Sequence, residues 1–357
     1  MIVHIFTAYR YHLVPIISKG FATIFCHDAE HFFLLVGNNR LNRQLYVNQF
    51  TKIGFDNYAF CQSYWQLVKY LLKYRKSTVL FHAGSYLWHF TSLFVGCRNV
   101  NWICWGGNTS VRSYMGAKLK SFLFKHYNSI VTLMEPERLE LITFWKINPQ
   151  KVHTLSYCSK NDHEIDMLYK QLTSQGTVNY DKPVVLLGNS HHWLSNYISF
   201  LPRLSNYKGK IKVQCMLNYP FERGELYDTL IKLGKSVFGN DFKTNEDFYS
   251  DKRDYINYMN SCDIYICDVQ QQTGLGAIRT CLRLGKKVYI TGNNLDWIRQ
   301  EYNSIVFSTD TIDEKLSYED FVKPLSIEEK KHNYQNEVNS IERDRTKWHS
   351  YLQEIDR

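Results

Sequence analysis

Two rhythms of apolar and polar positions run through the chain. Short apolar runs, the mark of strands buried on both faces, alternate with longer segments of helical period. In the first half IVHIF, HFFLLVG, STVLFHA, NVNWICW, SIVTL and KVHTL predict strands. WQLVKYLLKYRK, SYMGAKLKSFLFKHY and PERLELITFWK between them repeat apolar residues at helical spacing, and Pro136 fits the first turn of the last. From Ser159 to Lys182 the rhythm lapses into polar text. It restarts at PVVLLGNS and continues through KIKVQCML, CDIYICDV, KKVYIT and SIVFS, with helical segments between them. From Ser326 onward one long helical pattern fills the tail. Such alternation predicts layered α/β units with parallel sheets. The expected organisation is a first domain over 1–160, a linker over 161–182, a second domain over 183–325 and a helical tail over 326–357.

Composition narrows the class. A chain of 357 residues suits two domains, and 44% hydrophobic with 22% charged residues describes an ordinary folded protein. No apolar run reaches the roughly 18 residues of a membrane span, and MIVHIFTAYR lacks a signal-peptide pattern. Nine cysteines, an odd number without a C-x-x-C pair, point to a reducing compartment. The expectation is a soluble cytoplasmic protein. Charge is lopsided: residues 1–150 hold 16 Lys and Arg against 6 Asp and Glu, a net of +10, while the remainder holds 27 against 28. A basic half can serve nucleic acid, anionic lipid or a phosphorylated substrate.

Open parallel sheets bind ligands at the carboxyl ends of their strands, and two such ends carry suitable residues. VVLLGNS ends in Gly188, Asn189 and Ser190, where a bare backbone and two hydrogen-bonding side chains could meet a ligand. The same three residues also build an ordinary turn with a helix cap. In VQQQTGLGAIRTCLRLG the strand CDIYICDV gives way to a loop over Gln270 to Gly276 and a helix over Ala277 to Leu284. The free N–H groups of that helix start favour a phosphate. Gly274 and Gly276 present no side chain to hold it away, and Gln271, Gln272 and Thr273 add neutral donors. A full G-x-G-x-x-G is absent, because Arg279 stands in the third glycine's place, and no phosphate-loop or kinase signature occurs. His27 and His31 in HDAEH read as a structural pair rather than a zinc motif. No D-x-D occurs, so a bound diphosphate would rely on helix dipole and amides, with no metal and no other cofactor. No G-x-S-x-G hydrolase motif is present.

Together LFHAGS, WICWGGN, VVLLGNS with SNYISFL, VQCMLNYP and SCDIYICDVQQQTGLGAIRTCLRLGKKVYI resemble one family over roughly Ile2 to Arg299. It is the 4-acetamido-4,6-dideoxy-D-galactose transferases of enterobacterial common antigen synthesis, which use a dTDP-sugar and a polyprenyl-diphosphate-linked saccharide. The resemblance implies the GT-B fold: two Rossmann-like domains facing across a cleft, with the acceptor bound by the first and the nucleotide-sugar by the second. It implies a donor site of Gly188, Asn189, Ser190, Asn196, Tyr219, Pro220, Gln271, Gln272, Thr273, Gly274 and Gly276. On the acceptor side it points to His82 and to Trp105 and Gly106. The family's Ala-Asp after that pair is Gly107 and Asn108 here, and Asn108 is kept as an acceptor-side candidate. Thr273 and Gln271 also depart from the family's loop, so the sugar transferred can differ.

Transfer requires a stabilised leaving diphosphate and, for inversion, a base. His82 is the first candidate, His12 and Glu135 the weaker ones, and a buried structural histidine is the competing reading. A front-face retaining reaction would need no protein base. The basic helices of the first half suit an anionic membrane surface on the inner face of the bacterial cytoplasmic membrane, although a solvated basic face over a core stripe has the same pattern. Two other classes stay open: a non-catalytic sugar-nucleotide-binding protein, and a basic nucleic-acid-binding protein. The latter leaves both glycine loops unexplained and has no recognisable motif, so nucleic acid is not expected as a partner.

Overall fold

The computed structural model describes residues 1–7, 17–18, 20–23, 31–37, 40–82, 84–105, 114–157, 163–174, 182–218, 223–247, 249, 251–313 and 315–357. The chain divides into unit 1, Met1–Lys160 with Ile341–Arg357, and unit 2, Asn161–Ser340.

Unit 1 holds β1 (Ile2–Thr7), β2 (His31–Val36), β3 (Tyr58–Cys61), β4 (Thr78–His82), β5 (Asn99–Cys104), β6 (Ser129–Thr132) and β7 (Val152–Thr154), in the order β3-β2-β1-β4-β5-β6-β7. Every pairing is parallel. Burial on both faces explains the unbroken apolar runs that marked six of these strands. On one face Val3, Ile5, Leu34, Val79, Phe81 and Trp102 pack with Leu67, Leu71, Leu123 and Phe124 of the crossover helices. The opposite face carries His4, Phe6, Phe33 and His82, and Trp348 is buried within the same unit.

Unit 2 holds β8 (Val184–Leu187), β9 (Lys212–Met216), β10 (Phe242–Asn245), β11 (Ile264–Cys267), β12 (Lys287–Ile290) and β13 (Phe307–Ser308), ordered β10-β9-β8-β11-β12-β13 and again parallel. The chain order reverses between β8 and β11. That is the switch point where neighbouring loops diverge and leave a crevice at the carboxyl edge.

Two readings of organisation are modified. The stretch read as a linker contains the helix His163–Ser174, which joins unit 2 through an ion pair at 2.7 Å between Asp166 and buried Arg283. The tail is a single helix, Ile327–Ile355, that belongs to unit 2 up to Ser340 and to unit 1 from Ile341. In unit 1 its end is tied down by Met1, whose amino group lies 3.1 Å from Asp356, and by Thr78 Oγ1, which donates to the Ile355 carbonyl at 2.9 Å.

Candidate functional site

At the switch point of unit 2, the loop after β8 and the loop after β11 are joined by side chains. Asn189 Nδ2 donates to Thr273 Oγ1 at 3.1 Å, and Trp193 Nε1 donates to the same oxygen at 3.0 Å. Asn196 reaches across from the following helix to the Asp268 carbonyl at 3.1 Å. The first turn of the helix after β12, Gly292–Tyr302, holds the other side. Asn294 Nδ2 donates to the Thr273 carbonyl at 3.0 Å, and the Asn293 N–H donates to the Gln270 carbonyl at 3.1 Å. The Gln270–Gly274 segment is thus clamped from both neighbouring strands, which preorganises it.

Each glycine has a distinct local reason. Gly188 sits at φ +81°, and a Cβ there would run into the ring of Tyr197. The Tyr197 hydroxyl accepts from the N–H groups of Asn189 (3.0 Å) and Ser190 (3.2 Å) and donates to the Ser190 carbonyl (2.8 Å). Gly188 therefore makes room for Tyr197, and these two N–H groups are satisfied inside the protein. Ser190 Oγ accepts from His192 N–H, capping a short turn. Gly274 sits at φ +65°, where a Cβ would come within 2.9 Å of Asn189 Cγ. Around Gly276 a Cβ would meet nothing.

The helix after this loop begins at Leu275, two residues earlier than its sequence suggests, and runs to Arg283. No side chain caps it, and the first N–H groups of a helix have no intrahelical partners. Gln271 and Gln272 make no side-chain hydrogen bond to the described residues. Asn294 is fully buried, and its Oδ1 has no hydrogen-bond partner among the described residues. Arg279 turns away from the loop to Glu337, at 2.7 Å. Tyr219 and Pro220 lie outside the described residues.

In unit 1 the expected residues meet a buried polar chain. His82 ends β4 and is 0% exposed. Its Nε2 lies 2.9 Å from His4 Nδ1, and His4 Nε2 lies 2.8 Å from His31 Nδ1. On the other side His82 Nδ1 lies 3.0 Å from Tyr157 Oη, which also accepts from Trp105 Nε1 at 3.0 Å. Strand register creates the row, since β1 lies between β2 and β4 and carries His4 midway. An indole only donates, so one consistent set of tautomers sends the Tyr157 proton to His82 Nδ1 and passes donors on to His4 and His31. Burial lowers the pKa of His82 and of His4 well below 6.5, with the neighbouring His31 and His82 adding to the effect on His4. Burial likewise takes His31 to about 4, against a partial pull from Asp356. All three imidazoles are neutral at neutral pH. His31 opens a strand and its partner is His4; His27 lies outside the described residues.

Glu135 is engaged on both oxygens, by Arg138 at 2.7 Å and by Thr154 Oγ1 at 2.9 Å. Its neighbour Glu137 is the perturbed group, pushed up to about 8 by burial against the opposing pull of the Leu133 and Met134 N–H groups. His12, Gly106 and Asn108 lie outside the described residues. Sequence reasoning missed Tyr157, Tyr197, Trp193 and Asn294. Tyr157, Trp193 and Asn294 lie just beyond predicted strand ends, the one signal that could have flagged them, whereas Tyr197 lies within the helix Leu194–Phe200. Among the described residues no group of three or more His, Cys, Asp and Glu side chains is placed to hold a metal ion.

No family model and no curated protein sequence matches the chain. Solved structures do. A glycosyltransferase from Rickettsia africae superposes with a TM-score of 0.73 at 13% identity, covering 99% of this chain and 98% of that one. HepE from Anabaena in complex with UDP-glucose gives 0.70 at 12% identity, covering 98% and 99%. Sucrose-phosphate synthase from Thermosynechococcus elongatus gives 0.67 at 9% identity, covering 99% and 98%. The chain has the GT-B fold, with two parallel-sheet α/β units of seven and six strands.

Proposed function

We propose that the chain is a glycosyltransferase that takes a hexose from a nucleoside-diphosphate donor. The observation that carries this reading is the clamped Gln270–Gly274 loop at the switch point, joined to Asn189 of the Gly188–Ser190 turn after the adjacent strand. The diphosphate lies at the uncapped start of Leu275–Arg283, with Gln271 and Gln272 donating amide protons and Gly276 leaving space. These groups stabilise the leaving diphosphate through fixed dipoles and without a metal. The GT-B likenesses support the reading, and HepE is itself a UDP-glucose complex.

The finer assignment follows the sequence resemblance. The donor is a dTDP-linked 4-amino-4,6-dideoxy sugar, and the acceptor is a polyprenyl-diphosphate-linked saccharide of bacterial surface polysaccharide synthesis. Unit 1 takes the acceptor near Trp105, Gly106 and Asn108, and the protein sits peripherally on the inner face of the cytoplasmic membrane. As the acceptor oxygen bonds to the anomeric carbon and the diphosphate departs, the hydroxyl proton passes to Tyr157, whose own proton moves to His82 Nδ1. His82 acts through Tyr157 because both its nitrogens are engaged.

The test is a transfer assay with a panel of dTDP-, UDP- and GDP-sugars and bacterial lipid extract, following released nucleoside diphosphate. Release that requires both a sugar nucleotide and the lipid extract is the expected result. Nucleotide binding without release under any pairing would leave a sugar-nucleotide-binding protein and remove the transferase.

A further inference from the structure

From Asn57 to Met134 the chain carries nine Lys and Arg and not one Asp or Glu. This stretch builds the helices Tyr64–Lys73, Tyr86–Phe94 and Tyr114–His126. They connect β3 to β4, β4 to β5 and β5 to β6, three steps in one direction across the sheet. Right-handed crossovers then place all three on the same face. Side-chain contacts bear this out. Tyr64 Oη lies 2.9 Å from Thr91 Oγ1, and the rings of Phe90 and Phe122 stack at 5.9 Å.

The inner sides of these helices bury Leu67, Leu71, Trp88, Leu123 and Phe124. Their outer sides are apolar as well. Trp65 is 72% exposed and Phe94 88%, and Leu72, Leu87, Leu119 and Phe122 are also exposed. Trp65 with Leu72, and Leu87 with Phe94, are seven residues apart, and Leu119 with Phe122 three apart, so each pair shares one helix face. Of twelve exposed large hydrophobic side chains among the described residues, nine fall between Tyr64 and Phe144. Exposed Lys69, Lys73, Lys76, Lys118 and Lys125 lie on or beside the same helices. Scattered exposed apolar residues need no explanation, but a contiguous set among cations does.

We propose that this three-helix face is the surface on which unit 1 docks to an anionic lipid bilayer. Trp65, Leu87, Phe94 and Phe122 enter the headgroup boundary while the lysines meet lipid phosphates. An aromatic-and-lysine face without a carboxylate fits that partner in both chemistry and charge. The proposal rests on the membrane attachment put forward above and adds where it occurs; it needs no particular sugar or acceptor.

The experiment is co-sedimentation of the full chain with vesicles of phosphatidylcholine alone and with vesicles that also hold about 30% phosphatidylglycerol, enough for a clearly anionic surface. Wild type is expected to partition onto the anionic vesicles and to be released as salt rises. The double variant Trp65→Ser/Phe94→Ser, and separately Lys69→Gln/Lys73→Gln, should each bind at least about tenfold more weakly. Ile327→Ser, at an exposed apolar position of unit 2, should bind like wild type. Thermal shifts with sugar nucleotides should be the same in all of them, which separates a lost docking face from a lost fold. If wild type binds and the two face variants bind equally well, the face is wrong and attachment lies elsewhere. If wild type ignores anionic vesicles at low salt, face and attachment both fall. Capture of single-stranded RNA in place of vesicles would also overturn the proposal, assigning the basic aromatic surface to nucleic acid.

Discussion

Tyr157 Oη lies 3.0 Å from His82 Nδ1, and it is the contact through which a proton can enter or leave that imidazole on the side away from His4. His82 itself is fully buried, so in the proposed reaction a substrate hydroxyl would reach it through the phenol. Tyr157→Phe should therefore depress turnover about as much as His82→Asn, on the order of 100- to 10,000-fold, with sugar-nucleotide affinity little changed. His82→Ala should in addition cost stability, on the order of 3 kcal/mol, because it opens a cavity and strips a partner from His4 and Tyr157. Parallel turnover, binding and urea-unfolding measurements on the three variants check this. Near-normal turnover in Tyr157→Phe would take His82 out of the reaction and move attention to Glu135 and His12.

The glycines of unit 2 should separate fold from binding. Gly188→Ala forces a side chain into the Tyr197 ring at a positive φ, and the strain and overlap together should cost about 3 kcal/mol or more. Gly276→Val meets open space, so its unfolding midpoint should stay near that of wild type while nucleotide binding weakens. Thermal unfolding alongside nucleotide titration gives both readings. A Gly276→Val protein that binds nucleotide normally would mean that the phosphate does not lie there.

Acid should act on unit 1 through its histidines. In the unfolded chain they titrate near 6.5, whereas the folded His31 does so at about 4 and His4 and His82 lie well below 6.5. Below pH 6.5 the unfolded state binds more protons, so this stability is present above 6.5 and declines as pH falls toward 4. His31 alone accounts for on the order of 3 kcal/mol across that window. Glu137 works in the opposite sense. Raised to about 8, its contribution is present below its unfolded value of 4.5 and is lost as pH rises through 8. Glu137→Gln should therefore show a steeper acid loss between pH 6.5 and 4 than wild type, and a flatter profile from 6.5 to 8. Urea unfolding followed by tryptophan fluorescence across these pH values is the check. Identical profiles in the two proteins would contradict the assignment of Glu137.

Much of the fold was legible because buried parallel strands must be apolar throughout. Six of the seven strands of unit 1 and five of the six of unit 2 stand out as such runs. The two that do not, YAFC in β3 and FKTN in β10, are edge strands whose residues are largely part-exposed. With only one neighbour, such strands need no continuous apolar signal. At the donor-side loops the glycine positions were legible, yet Gly188 proves to accommodate Tyr197, nine residues on, a cause no local spacing reveals. Tyr157 was invisible for the same reason: its role comes from packing against His82, 75 residues earlier in the chain.

Isothermal titration of the full chain with UDP and dTDP, with and without chelator, tests the donor cradle most directly. Thr273→Val removes the oxygen that receives both Asn189 and Trp193. Wild type is expected to bind at least one of the two nucleotides with an affinity unchanged by chelator, and Thr273→Val to bind it about tenfold or more weakly, a loss of roughly 1.4 kcal/mol or more. Absence of binding to either nucleotide, or equal binding by Thr273→Val, would contradict a nucleoside-diphosphate site at the β8–β11 switch point.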